Sequence, residues 1–170
     1  MPRSARLWIP LLSAVVAVVA AGTVASVLLR ERSERVERTE LEGLASRFTS
    51  ALLTYDSADL QASRDRMRPL ATDKFFANYE ATLKALADVN SKAQGRATEV
   101  FVGRPRSSRV TVVVVTESTA QTANGPRANR GTYLRLDLLR AGDTWQVDQV
   151  IELASGRSEG ADPPPQDAED

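Results

Sequence analysis

TYLRLDLLRAGDTWQVDQVIEL, residues 132–153, decides the fold of this chain. Before Gly142-Asp143, Leu134, Leu136 and Leu138 alternate with Tyr133, Arg135 and Asp137. After it, Trp145, Val147 and Ile151 oppose Gln146, Asp148 and Glu152. Period-two alternation marks a strand with one face on a core. A Gly-Asp pair between two such runs signals a tight hairpin. The stretch reads as two antiparallel strands, Thr132–Arg140 and Thr144–Leu153, apolar on one side.

Two further runs rich in Val and Thr lie upstream, Ala97–Val102 and Arg109–Thr119. Turn clusters bound them at Gly103-Arg104-Pro105 and Asn124-Gly125-Pro126. Short connections make antiparallel neighbours, so the four runs predict a four-stranded meander. The Arg109–Thr119 run differs from the hairpin strands. Val112 and Val114 face one way, and Val113 and Val115 the other. A strand apolar on both faces is normally covered on both. Either a curled sheet packs both sides with its own chain, or a partner covers the open side. Val112, Val113, Val114 and Val115 are therefore the candidate interface residues.

Toward the N-terminus the period changes to that of helices. Leu41, Leu44, Phe48, Leu52 and Tyr55 form one stripe. Asp56 or Ser57 is placed to cap a short helix near Ala58–Met67, which Pro69 ends. Thr72 caps a third helix with Phe76, Tyr79, Leu83 and Leu86 on one side. Three helices followed by four antiparallel strands is an α+β layout, the helices covering one face of the sheet.

The flanks are of another kind. Leu7 to Leu29 holds no charged residue. As a helix such a run reaches roughly 34 Å, enough to span a bilayer core. It is too long for a signal-peptide core, so residues 7–29 read as a retained transmembrane helix in contact with lipid. Residues 1–6 are then a short cytoplasmic N-terminus, and the rest lies outside the plasma (inner) membrane. Residues 30–40 read as a charged helical stalk, with Glu31/Arg35 and Glu34/Arg38 four apart. The soluble domain is expected over 41–153. Residues 154–170 read as a disordered acidic tail.

Composition excludes much. Basic and acidic residues number 22 each, which speaks against nucleic-acid binding. With no His and no Cys, every mechanism built on a His base, a thiolate or a His-liganded zinc is out. No phosphate-cradling glycine loop is present. Asp56 beside Tyr55, Tyr79 and Asp137 could serve acid–base work only by meeting inside a cone. Each has a plainer role as cap, core aromatic or solvated neighbour of Arg135. No catalytic, cofactor or metal residue is therefore expected. The basic segments Gly103–Arg109 and Pro126–Arg130 read as solubilising loops at opposite ends of the sheet.

Leu70-Ala71-Thr72-Asp73-Lys74-Phe75-Phe76-Ala77-Asn78-Tyr79 is similar to the L-T-x-x-F-x-x-x-Y stretch of Mce-associated membrane proteins of actinobacteria. Gly142-Asp143-Thr144-Trp145-Gln146-Val147 resembles that family's closing W-x-V strand. The resemblance covers residues 5–153. It implies an NTF2-like (cystatin-like) cone, related in shape to VirB8-type secretion proteins. It further implies a non-enzymatic scaffold of a lipid- or sterol-importing Mce complex, a role compatible with a homo-oligomer. The alternatives are a VirB8-like secretion-system assembly component, or a lipid-binding or enzymatic cone.

Overall fold

A computed structural model describes residues 32–87, 90–122 and 125–160. The expected transmembrane helix 7–29, the N-terminus 1–6 and residues 161–170 lie outside the described residues. Among those described, no helix is long and apolar enough to cross a membrane. The chain divides into two units, Met1–Glu40 and Leu41–Asp170. In the first, residues 32–40 are helical and largely exposed.

The second unit is α+β. Helix α1 (residues 32–53) carries buried Leu41, Leu44 and Phe48 on one stripe within it. The unit continues with β1 (Tyr55–Asp56), α2 (Leu60–Met67) and a 3-10 turn (Arg68–Leu70). Helix α3 (Asp73–Leu86) follows, then β2 (Lys92–Val102), β3 (Arg109–Thr122), β4 (Gly125–Ala141), β5 (Thr144–Ala154) and β6 (Arg157–Gly160). All strand pairs are antiparallel. The order is β1-β2-β3-β4-β5, with β6 beside β4. The helices and curled sheet fit an NTF2-like cone.

Three local expectations hold. Pro69 sits in the 3-10 turn that closes α2. Thr72 caps α3, accepting from the Phe75 N–H. Ala141 and Thr144 pair across Gly142-Asp143, and Gly142 supplies the left-handed φ of 64°. The cap of α2 differs: Asp59 accepts from the Ala62 N–H, while Asp56 accepts from the Ala58 N–H one turn earlier.

Among the described residues the sheet has six strands rather than four. Strand β1 is two residues long, too short to leave a period. Strand β6 lies in the glycine-rich, acidic segment expected to be tail, and the sheet thus runs to Gly160. The central strands are also longer than expected. Residues 126–130, expected as a loop, are part of β4. Pro126 is tolerated because it pairs only with Gln121 of β3 and precedes the β6 partners, which start opposite Arg127.

Two irregularities set which face each side chain takes. Gly131, at φ 76°, is the extra residue of a bulge between the Thr116/Thr132 and Glu117/Arg130 pairs. It turns Arg130 to the outer face with Glu117. Asp148 is the extra residue between the Asp137/Gln149 and Leu138/Val147 pairs. It reverses parity, so Val150 faces inward with Leu136 and Ile151 faces outward with Arg135. The expected side for Ile151 is thereby corrected.

Leu134, Leu136, Leu138, Val110, Val112, Val114, Trp145 and Val147 meet Phe48, Met67, Phe76, Tyr79 and Leu83 in one core. Gly95 lets the end of α1 approach β2. A Cβ there would lie 2.6 Å from the Leu53 Cβ and 2.9 Å from the Ser118 Cβ. The start of α3 is tied to β5: Thr72 donates its N–H to the Val147 carbonyl at 2.9 Å and its hydroxyl to Asp148 at 3.0 Å. Thr72→Ala removes both the cap and the Asp148 bond. It is expected to cost about 1–2 kcal/mol in urea unfolding, the upper part of the range for cap loss, with an unchanged m-value.

Candidate functional site

The three groups able to do acid–base work are not brought together. Asp137, on β4, lies on the outer face of the sheet beside Thr111 of β3. It accepts from Arg135 at 2.7 Å and from the Thr111 hydroxyl at 2.8 Å. Partial burial pushes its carboxyl up. The Arg135 and Thr111 hydrogen bonds and the charges of Arg135 and Arg109 outweigh that and hold it below the ordinary value. Asp56 sits on β1, 2.7 Å from the Lys92 ammonium. Lys92, then the Ala58 N–H, lower its pKa against a small effect of burial. Tyr79 is in the core. Burial pushes its phenol up, against the opposing influence of Arg66, Ser63 and Arg64. Its buried hydroxyl completes no well-formed hydrogen bond among the described residues.

Both carboxylates are stabilised as anions, the reverse of what a general acid needs. A carboxylate with a depressed folded-state pKa contributes stability that is present in full above its unfolded value, near 3.9. That contribution is lost as the pH falls through the lower folded value. Asp137→Asn is therefore expected to flatten the acid limb of the stability curve below about pH 4. Chemical denaturation of both proteins at pH 3–7 checks this.

Three open hollows border α1 or β1 among the described residues; the largest of the three, about 780 Å³ and mainly apolar, lies by Ser46, Ala51, Pro69 and Leu70. Another, of about 570 Å³, lies between Ser50 of α1, Thr54 just beyond its end, and Gln94, Ser118 and Asn129 of the sheet. A smaller one, about 380 Å³, is bounded by Tyr55, Asp56, Arg66 and Lys92. None of the three contains Tyr79 or Asp137. Where those would have met, the fully buried Phe48, Met67, Leu136, Leu138, Val112 and Val147 fill the space. Among the described residues no three side chains of metal-ligating type are gathered.

The outer face of the sheet is the distinctive surface. Val112 and Val114 are at 0% exposure, so that half of the candidate interface is core. Val113 and Val115 point out and are half-buried. Cross-strand register sets Phe101, Val113, Arg135 and Ile151 in one row, and Glu99, Val115 and Tyr133 in the next. Phe101 is 53% and Tyr133 43% exposed, so no described element covers this face. Leu153, in the adjoining bulge, is 52% exposed. Among the described residues only Val36, in the first unit, is another large apolar side chain so exposed.

No family model matches this chain, and no curated protein matches it in sequence. Solved structures match its fold. An IcmL-like type IV secretion system protein from Legionella pneumophila is similar over 76% of this chain and 96% of its own, at 13% identity and TM-score 0.56. CagV, a VirB8 homologue of the type IV secretion system of Helicobacter pylori, is similar over 67% and 96%, at 11% identity and TM-score 0.53. The periplasmic domain of DotI is similar over 66% and 91%, at 15% identity and TM-score 0.51. The chain has the VirB8-like, NTF2-like fold.

The resemblance to Mce-associated proteins finds no matching family model. Its motif residues are spent on the fold. Thr72 caps α3, Phe75 packs against the core, Tyr79 is in it, and Trp145 and Val147 are the inward side chains of β5. Such residues stabilise a cone of this type whatever it assembles with.

Proposed function

We propose that this chain is a non-enzymatic assembly subunit of a machine in the cell envelope. It is anchored by residues 7–29 with its cone outside the plasma membrane, and it acts by binding a protein partner through the outer face of the sheet. The observation that carries this reading is the pairing of a filled interior with an uncovered outer face bearing Phe101, Tyr133, Val113, Val115 and Ile151. Aromatic residues around a compact apolar patch are the composition of binding centres rather than of ordinary surface. The likeness to secretion proteins favours a VirB8-type assembly role over the Mce-associated role. The latter rests on residues 70–79 and 142–147, whose structural use is explained above.

The test is affinity isolation of the tagged full chain from its own membranes. Secretion-machine subunits in stoichiometric amount are expected, and recovery of Mce proteins instead would transfer the role to a lipid importer. The variant Asp56→Asn/Asp137→Asn should recover the same proteins and support the same cellular function. Loss of that function, with folding and complex abundance normal, would overturn the scaffold reading in favour of a ligand-handling site.

A further inference from the structure

One edge of the sheet is left without the usual protection. Strand β2 pairs with β3 along its length, but β1 covers its other side only at Lys92 and Ala93. Beyond those two residues no strand lies beside β2 among the described residues. At the opposite edge of the sheet, the Thr72 N–H reaches the Val147 carbonyl of β5, and the Asp148 bulge interrupts the strand. Bulges, prolines and charges are the common devices that keep an edge from pairing. On the open part of β2 they stand at the ends of one stretch. The register slips at Thr98, and Pro105 follows the strand. Residues 99–104 between them read Glu-Val-Phe-Val-Gly-Arg, charged only at the two ends.

The ladder fixes where the main-chain groups of this stretch point. Gly103 donates its N–H to the carbonyl of Thr111, its register partner, at 2.9 Å. In an antiparallel pair, residues that exchange hydrogen bonds alternate with residues that do not. Counting back along the register, Phe101/Val113 and Glu99/Val115 bond across the ladder, while Val102/Val112 and Val100/Val114 do not. The other side of β3 agrees. The Arg140 N–H donates to the Ser108 carbonyl, so even-numbered residues of β3 turn to β4 and odd-numbered ones to β2. The N–H and C=O of Val100 and Val102 therefore point away from β3, to the open edge. Their side chains pack against the core, and the Phe101 side chain stands exposed on the outer face.

A second copy of the same stretch is complementary to this edge. Two such edges meet antiparallel about a twofold axis, and each must offer its outward-turned residues. Val100 then exchanges both N–H···O bonds with Val102 of the second copy, and Val102 with its Val100. Phe101 meets Phe101 across the axis as the non-bonded pair, where side chains are closest and aromatic pairs are favourable. Glu99 falls opposite the small Gly103 of the second copy, so the acidic end of each stretch lies by the other's Arg104. Other registers fit worse. Centring on Val100 sets Glu99 against Phe101, centring on Val102 sets it against Pro105, and centring on Glu99 sets acid against acid, which is destabilising. We propose that two copies of this chain associate edge to edge through residues 99–104, antiparallel about a twofold axis at Phe101. The two sheets then run on as one, their outer faces on the same side. The inference uses main-chain groups in the plane of the sheet and does not rest on the assembly role proposed for the outer face.

The chain has no cysteine, so single replacements report on the pairing. The full chain is reconstituted in vesicles of neutral lipid at high lipid dilution and oxidised with copper phenanthroline. Phe101→Cys is expected to give a disulfide-linked dimer. A non-bonded antiparallel pair sets its Cα atoms about 4.5 Å apart, within the roughly 4.4–6.8 Å that a disulfide spans. Glu99→Cys and Leu153→Cys, at positions that are also exposed, should stay monomeric. Val102→Pro deletes an N–H that points to the open edge and that the β3 ladder does not use, the setting in which a strand tolerates proline. Added to the Phe101→Cys chain, it should cut the dimer yield at least about tenfold, since symmetry removes one bond from each copy. Val100→Pro should act alike, and Val102→Ala, which keeps the N–H, should still cross-link. Thermal unfolding of each variant checks the fold. No disulfide at position 101, or one formed as readily at 99 or 153, overturns the proposal. So does a disulfide at 101 that both prolines leave unchanged in folded chains, which would show contact without strand pairing. A cross-link from position 101 to a different protein in the native membrane, with none between copies, also overturns it and gives the edge to that protein.

Discussion

Trp145→Ala is expected to cost about 3–5 kcal/mol, as truncation of a large buried aromatic does. Trp145 is 3% exposed, in one core with Phe76 and Leu136, and the Arg140 guanidinium lies 4.9 Å from its ring centre. Domains of this size are stable by only about 5–15 kcal/mol, so the variant should be partly unfolded at physiological temperature. Trp145→Phe separates volume from polarity. The indole Nε1 is buried without a partner among the described residues. Phe keeps most of the packing and removes that unsatisfied donor, so its cost should fall well below that of Ala. Urea unfolding of both variants checks the order. A loss below about 1 kcal/mol for Trp145→Ala, within the range of ordinary surface changes or little beyond it, would mean that β5 does not pack as described.

The second large effect is on binding. Tyr133→Ala/Val115→Asp alters two cross-strand partners on the outer face. Central aromatic anchors are worth about 2 kcal/mol or more on truncation, so affinity for the partner should fall by at least about 30-fold. Folding should suffer far less, by about 1 kcal/mol from the loss of a β-branched residue at a half-covered strand position. Isolation of the complex alongside thermal unfolding of the same variant separates the two effects.

The hairpin, the Thr72 cap, the Pro69 stop and the helical stripes were legible because each has a local cause: a period, a capping side chain or a missing N–H; only Tyr55, expected to continue the first stripe, lies beyond the end of α1, in β1. What escaped depends on register between distant segments. Nothing local in Tyr55-Asp56 shows that it pairs with Lys92-Ala93, or that Arg157–Gly160 pairs with Arg127–Arg130. The Asp148 bulge defeats simple alternation, which is why Ile151 was expected inward. The outer face was half visible. The run Val112–Val115 announces a strand apolar on both sides, but only pairing shows that Phe101 and Tyr133 join Val113 and Val115. Tyr133 was read with its polar neighbours Arg135 and Asp137, and that grouping is right as to side. The place of Arg130 on the outer face was hidden because Gly125-Pro126 resembles a loop and Gly131 moves Arg130 by one position.

The account stands on the outer face of the sheet being occupied by a protein in the cell. A photoreactive amino acid placed in the full chain at position 113, 115 or 133, and as a control at the exposed Lys84 of α3, tests this directly. The account predicts one discrete cross-linked protein from the three sheet positions and none from position 84. Cross-links from position 84 with none from the sheet, or no protein cross-link from positions 113, 115 and 133, would contradict it.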